Sequence, residues 1–195
     1  LGVGAMLVGG VFSIISVRSG IADGMKQLRS SYQNRNNTQV ARTEKDMSIM
    51  AILTIFVCCF LAMIWLYNTL LNHLGLSIFT AAIMILAAFP FVAVSSYIVG
   101  LVGTSNNPVS GITISVLIAT SALFLLLCWK GDSAILATLG VSAIVCCAAC
   151  TAGDCSQDLK TGAIIRSTPK YQQWAQCIGV LIPAFTIAPV LTVLH

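Results

Sequence analysis

SAILATLGVSAIVCCAACTAGDCSQDLKTG, residues 133–162, is the stretch on which the fold turns. From Ser133 to Gly153 no side chain is charged, and then Asp154, Asp158 and Lys160 arrive within seven positions. An uncharged apolar run of about 18 residues or more is long enough to cross a bilayer as a helix. The run predicts a span at about 133–152 that ends in a polar stretch. So apolar a chain needs a reason to collect acidic and basic groups at that end.

The same pattern recurs outward from it. The 195 residues are 57% hydrophobic and only 8% charged, with a mean hydropathy of +0.94. Soluble domains carry about 25% charged residues, so these charges are too few for a water-facing surface. Further spans are expected at about 1–17, 47–71, 75–103, 112–129 and 174–194, with Pro90 interrupting the third span and Pro183 and Pro189 inside the last. The fold class is therefore all-α: a polytopic transmembrane helical bundle of about six spans. Leu1 opens an apolar run with no basic region before it, and His195 directly follows another. The chain is expected to be a piece of a longer protein. Seven of the eight cysteines lie in apolar runs or at their ends, where cysteine behaves as a small hydrophobe, so no disulfide framework is expected.

The connections carry nearly all the charge. Residues 18–46 hold Arg18, Lys26, Arg29, Arg35, Arg42 and Lys45, and residues 153–173 hold Lys160, Arg166 and Lys170. With six spans, 18–46, 104–111 and 153–173 fall on one side of the membrane, which then has nine Lys and Arg against Lys130 alone on the other. The positive-inside rule assigns the nine to the cytoplasm. The 18–46 loop reads as a solvated cytoplasmic linker touching anionic lipid headgroups. Its Asn36-Asn37-Thr38 sequon would not meet the glycosylation machinery on that side.

Two stretches break the apolar pattern with polar detail. In GTSNNPVSG, residues 103–111, Asn107-Pro108 is a turn signal, and Gly103 and Gly111 permit unusual backbone shapes. Such a segment is either an unwound element coordinating a substrate or ion, with Asn106, Asn107 and Ser110 as its polar groups, or an interfacial turn. In the second stretch Gly153, Asp154, Gln157, Asp158 and Thr161 fall at helical spacing, so four polar groups would share one face. A carboxylate drawn out of water favours its protonated form, which suits it to taking up and releasing a proton. Lys160 could neutralise one of the pair. The alternative is a capping box, Asp154 with Gln157, starting an interfacial helix. Both readings stay open on the residues alone.

Other motifs fail. Leu159 stands where a phosphate-binding loop ending in Lys160-Thr161 would need Gly, and Leu7 stands where GxGxxG would need its third glycine. Cys147 and Cys150 have the spacing of a redox or metal pair but lie in an apolar span without a nearby histidine, so small-residue packing is the simpler account. No metal site, cofactor or nucleic-acid partner is expected, and no nucleophile–base–orienter set supports an enzyme.

The combination GDCSQDLKTG (153–162) followed by TPKYQQWAQCIGVLIPA (168–184) resembles the oligopeptide transporter family, which includes the yellow-stripe-like carriers of metal chelates. YIVGLVGTSNNPVSG (97–111) is similar to the family's Asn-Pro-Ser-Gly segment, and the chain looks closest to the prokaryotic branch. The resemblance implies one transmembrane transporter domain over 1–195, belonging to the C-terminal half of a larger protein. It implies a proton-driven symporter of small peptides or metal chelates in the cell membrane, its oligomeric state open. The resemblance singles out the two motif blocks without fixing which residues bind substrate. Within them the expectation is that Asp154 and Asp158 handle protons or gate, Gln157 and Thr161 give neutral hydrogen bonds, and Lys160 gives a counter-charge. Asn106, Asn107 and Ser110 would face the transport path. A passive channel and a membrane-embedded thiol enzyme using Cys147 and Cys150 are the rival readings.

Overall fold

The computed structural model describes residues 4, 5, 8, 9, 12, 15 and 42–194. The first expected span, about 1–17, lies largely outside the described residues, as does the 18–46 loop up to residue 41. Inside hydrocarbon no water is available to backbone groups, so each crossing segment must close its own hydrogen bonds as a helix. Among residues 42–194 five long helices do so: α1 (Ile49–Leu71), α2 (Leu74–Val102), α3 (Val109–Leu126), α4 (Asp132–Ile164) and α5 (Pro169–Leu194). All five are long and apolar enough to cross a membrane, and no strand occurs among the described residues. The protein is a multi-pass membrane protein.

Local chemistry sets the helix ends. Ser48 caps α1, its Oγ accepting the Ala51 N–H at 3.3 Å. Asn72 ends α1 in the left-handed region at φ 50°, and its N–H donates to the Asn68 carbonyl. Only Asn72 and His73 separate α1 from α2, so the two run antiparallel. Gly103 ends α2 at φ 92°, a conformation in which a side chain would be strained. Pro169 opens α5, where its missing N–H costs nothing. The interruption expected at Pro90 does not occur: α2 runs unbroken through it, and α5 runs through Pro183 and Pro189.

Two boundaries differ from the sequence expectation in ways that matter. The fourth span begins at Val109 and ends at Leu126, earlier at both ends, which puts Ser110 and Gly111 inside α3. The fifth does not stop near residue 152 but continues as α4 to Ile164, so the expected 153–173 loop shrinks to residues 165–168. Its 33 residues give a length of about 50 Å at 1.5 Å per residue, against about 30 Å of hydrocarbon. Roughly a dozen residues, counted over both ends together, must therefore extend beyond the apolar slab. Apolar residues continued while the helix was in lipid, and the polar ones begin where it leaves.

α4 is the central element, packing most extensively on α2 and then on α3. Its buried side, Ala134, Ala137, Thr138, Val141, Ser142, Val145, Ala149 and Gly153, is a stripe of small residues three or four apart. Small residues let helix backbones approach closely, the main source of helix association when both sides of the comparison are apolar. Tyr67 from α1 ties this packing together. Its ring covers Gly140 of α4, where an added Cβ would come within 3.2 Å of the hydroxyl, and that hydroxyl lies 3.9 Å from Met84 Sδ of α2. Replacing Tyr67 with Ala is expected to lower the stability of the full-length protein by about 3 kcal/mol. Tyr67→Phe keeps the ring and should cost below about 1 kcal/mol. Thermal unfolding in detergent checks both.

Candidate functional site

Three polar segments meet at one end of the bundle: residues 42–48 before α1, the α2–α3 link 103–108, and the last three turns of α4 with the start of α5. The sequence assigns these to one side by counting spans, and hydrogen bonds between them confirm that they lie together. Gln157 Oε1 of α4 accepts the Thr104 N–H of the link at 2.9 Å. Gln173 Oε1 of α5 accepts the Met47 N–H at 2.8 Å, and the Lys170 N–H donates to the Lys45 carbonyl at 3.0 Å.

The link is neither an extended unwound segment nor a loose turn. Thr104–Asn106 form a single 3₁₀ turn, and the helix resumes at Val109. Asn107 folds back onto Gly153, where an added Cβ would lie 2.8 Å from its Nδ2, 3.0 Å from Val99 Cγ2 and 3.2 Å from Ser95 Oγ. Glycine is required there because three side chains already occupy the space. Ser95 Oγ reaches Asn107 Oδ1 at 2.9 Å and also the Ala149 carbonyl of α4. One hydroxyl carries one proton. Turning the Asn107 amide so that Nδ2 donates to Ser95 Oγ frees the hydroxyl to donate to Ala149, and both contacts are then satisfied. The adjacent Ser96 Oγ donates to the Ala152 carbonyl at 3.3 Å.

The expected polar face of α4 is divided between two neighbours. Gln157 turns to the link, while Asp158 Oδ2 accepts Gln176 Nε2 of α5 at 3.4 Å. Gln172 Nε2 donates to the Asp158 carbonyl at 3.3 Å, and its side chain lies directly over Gly162, leaving no room for a Cβ there. Thr161 Oγ1 bonds back to the Gln157 carbonyl at 3.0 Å. Asp154 is exposed and has no hydrogen-bond partner among the described residues. The capping-box reading is overturned: residues 154–157 lie inside a continuous helix, where no new N-terminus exists to be capped.

Lys160 is a second correction. It pairs with neither aspartate; Nζ donates to the Gly100 carbonyl at 3.2 Å, in the last turn of α2. A cation there complements the negative end of the helix dipole. Among the residues of the 103–111 stretch, Asn106 is exposed and its side chain donates only to the Val102 carbonyl at 3.3 Å, and Ser110 is exposed in the first turn of α3. Asn107 is half-buried and committed to packing. Cys147 and Cys150 are free thiols within α4, and no cluster of metal-ligating side chains occurs among the described residues. The sequence reading missed Ser95, Ser96, Gln172, Gln173 and Gln176. The Ser-Ser pair inside an apolar run and the Gln-Gln pair at a span's entry were the available signals.

A family model described as OPT oligopeptide transporter protein matches residues 1–195. A Haemophilus influenzae protein named as a candidate oligopeptide transporter is 29% identical over 216 aligned positions, which cover 100% of this chain and 34% of the relative. The chain thus spans about a third of the length of that relative. No solved structure matches it.

The contact at Gly153 yields a test. Gly153→Ala is expected to destabilise the full-length protein by about 1–3 kcal/mol through overpacking. Asn107→Ala in the same chain removes the nearest obstructing atom and should recover part of that loss, giving a non-additive double-mutant cycle in thermal unfolding.

Proposed function

The chain belongs to the oligopeptide transporter family, and from that premise we propose that it is part of a secondary active transporter. In this reading it carries small peptides or metal chelates across the cell membrane by proton-coupled symport. Residues 1–195 form part of one transporter domain, and the end of the bundle that gathers residues 42–48, 103–108 and 153–168 faces the cytoplasm.

The observation that supports the reading best is the meeting of the two polar stretches, through Gln157 on Thr104 and Asn107 on Gly153. Alternating access needs an end of the bundle that is polar enough to hydrate and still defined by packing. Here most polar groups are already used between helices, and Asp154 stands out as a carboxylate without a partner among the described residues. Asp154 takes the proton-handling role. Asp158, held by Gln176, and Gln157, held by the link, set the position of α4 against its neighbours. Lys160 acts on the end of α2 and not as a counter-charge. Asn106, Ser110 and Thr161 offer exposed polar groups to the path.

Uptake by the full-length protein in proteoliposomes tests this. A mixed pool of short peptides and iron chelates is offered with and without an inward proton gradient, and accumulated species are read by mass spectrometry. Gradient-driven accumulation is expected, falling about tenfold or more in Asp154→Asn and less in Asp158→Asn, whose side chain can still accept from Gln176. Flux without accumulation would mean a passive channel. Product formation lost in Cys147→Ser or Cys150→Ser, and indifferent to the gradient, would mean a thiol enzyme.

A further inference from the structure

We propose that the junction between residues 42–47 and the α4–α5 turn is a binding site for the headgroup of an anionic phospholipid, with the phosphate held by Arg42, Lys45, Arg166 and Lys170. The inference does not depend on what the protein transports. It rests on three observations.

The first is the convergence of cations from segments remote in sequence. Arg42 Nη2 donates to the Arg166 carbonyl at 3.3 Å, and the Lys170 N–H donates to the Lys45 carbonyl at 3.0 Å, so two basic pairs come together across the junction. Four cations stand against Glu44 and Asp46 in these segments, and Asp46 Oδ1 accepts Gln173 Nε2 at 3.3 Å. No ion pair forms among the described residues here. Four cations against two carboxylates leave the junction with a net positive charge, which attracts an external anion.

The second is that the junction is built and not a chance meeting of mobile side chains. Gln173 bridges it, accepting from the Met47 N–H at 2.8 Å while donating to Asp46. Arg166 is set in the left-handed region at φ 56°, and the following Ser167 N–H donates to the Gly162 carbonyl at 2.8 Å, which closes the end of α4.

The third gives the depth. Tyr171 and Trp174, both exposed, follow Lys170 within about one turn of α5, and no charged residue occurs from there to Leu194. Exposed Tyr and Trp at the entry of an apolar helix lie at headgroup level. The four cations are therefore held in the plane of the lipid phosphates. Basic pockets between spans at that level are suited to anionic lipid headgroups, and a phosphodiester is the anion such a plane supplies.

The test uses the full-length protein in detergent, with bound lipid read by native mass spectrometry after addition of phosphatidylglycerol or phosphatidylcholine. The key variant is Lys45→Gln/Arg166→Gln/Lys170→Gln. It removes three charges yet keeps every hydrogen bond described, since Lys45, Arg166 and Lys170 use only backbone atoms in them. Wild type is expected to retain phosphatidylglycerol over phosphatidylcholine. The variant should lose that retention by at least about tenfold, while Lys130→Gln at the opposite end of the bundle leaves it intact. Equal retention of the two lipids, equal retention by wild type and variant, or equal loss in Lys130→Gln would overturn the proposal. Displacement of phosphatidylglycerol by inorganic phosphate at matched concentration would also overturn it, leaving a small-anion site in its place.

Discussion

The close approach of α4 to α2 is the constraint on which everything else depends. In lipid, burying a leucine gains little over leaving it among acyl chains, so helices associate through packing and short polar contacts. The run from Ala134 to Gly153 supplies small side chains at every turn that faces the bundle. α2 meets it with Ser77, Thr80, Ala81, Val94 and Ser95, all fully or nearly fully buried. Hydroxyls on this surface would be costly if unpaired, and the helices use their own carbonyls to avoid that. Thr80 bonds to Leu76, Thr138 to Ala134 and Ser77 to His73. Ser95 and Ser96 instead cross to α4, which fixes its height against α2.

That fixed height positions the polar end. Because α4 is longer than the hydrocarbon is thick, its final turns stand beside the α2–α3 link and the start of α5. The polar side chains there act first as connectors between elements. Gln157, Asp158 and Lys160 each bind a different neighbour: the link, α5 and the end of α2. In the transport reading proposed above, contacts of this kind would have to break and re-form as the two openings alternate. Neutral amides suit that task, since their exchange for water costs far less than separating a buried ion pair. Asp154 differs from them in having no side-chain partner among the described residues, and this separates it from Asp46 and Asp158 at the same end of the bundle.

The junction at residues 42–48 bears on the same end. It ties the segment leading into α1 to the α4–α5 turn through Gln173 and backbone hydrogen bonds, while the cationic side chains of Lys45 and Lys170 stay free of those bonds. A lipid phosphate bridging these cations would hold the entry of α1 and the exit of α4 at a common level. The polar ends of the bundle would then be set by the membrane surface as well as by contacts within the protein.

The sequence by itself determined the membrane class, the helical fold and the grouping of three polar segments at one end. Uninterrupted apolar runs admit only helices in lipid, and counting crossings fixes sides. It also drew attention to 103–111 and 153–162, the two stretches that touch. Only the tertiary structure decided how they touch. Hydropathy could not show that α4 continues to Ile164, because a helix leaving the membrane becomes polar without ceasing to be a helix. It could not show that Lys160 serves Gly100, or that Asn107 fills the space a side chain at residue 153 would need. The reason is that a membrane helix is apolar on every face, whether that face meets lipid or another helix. The pattern that marks the packed side of a soluble helix is absent, and the packed side is set by small residues and single polar contacts that acquire meaning only once the helices are side by side.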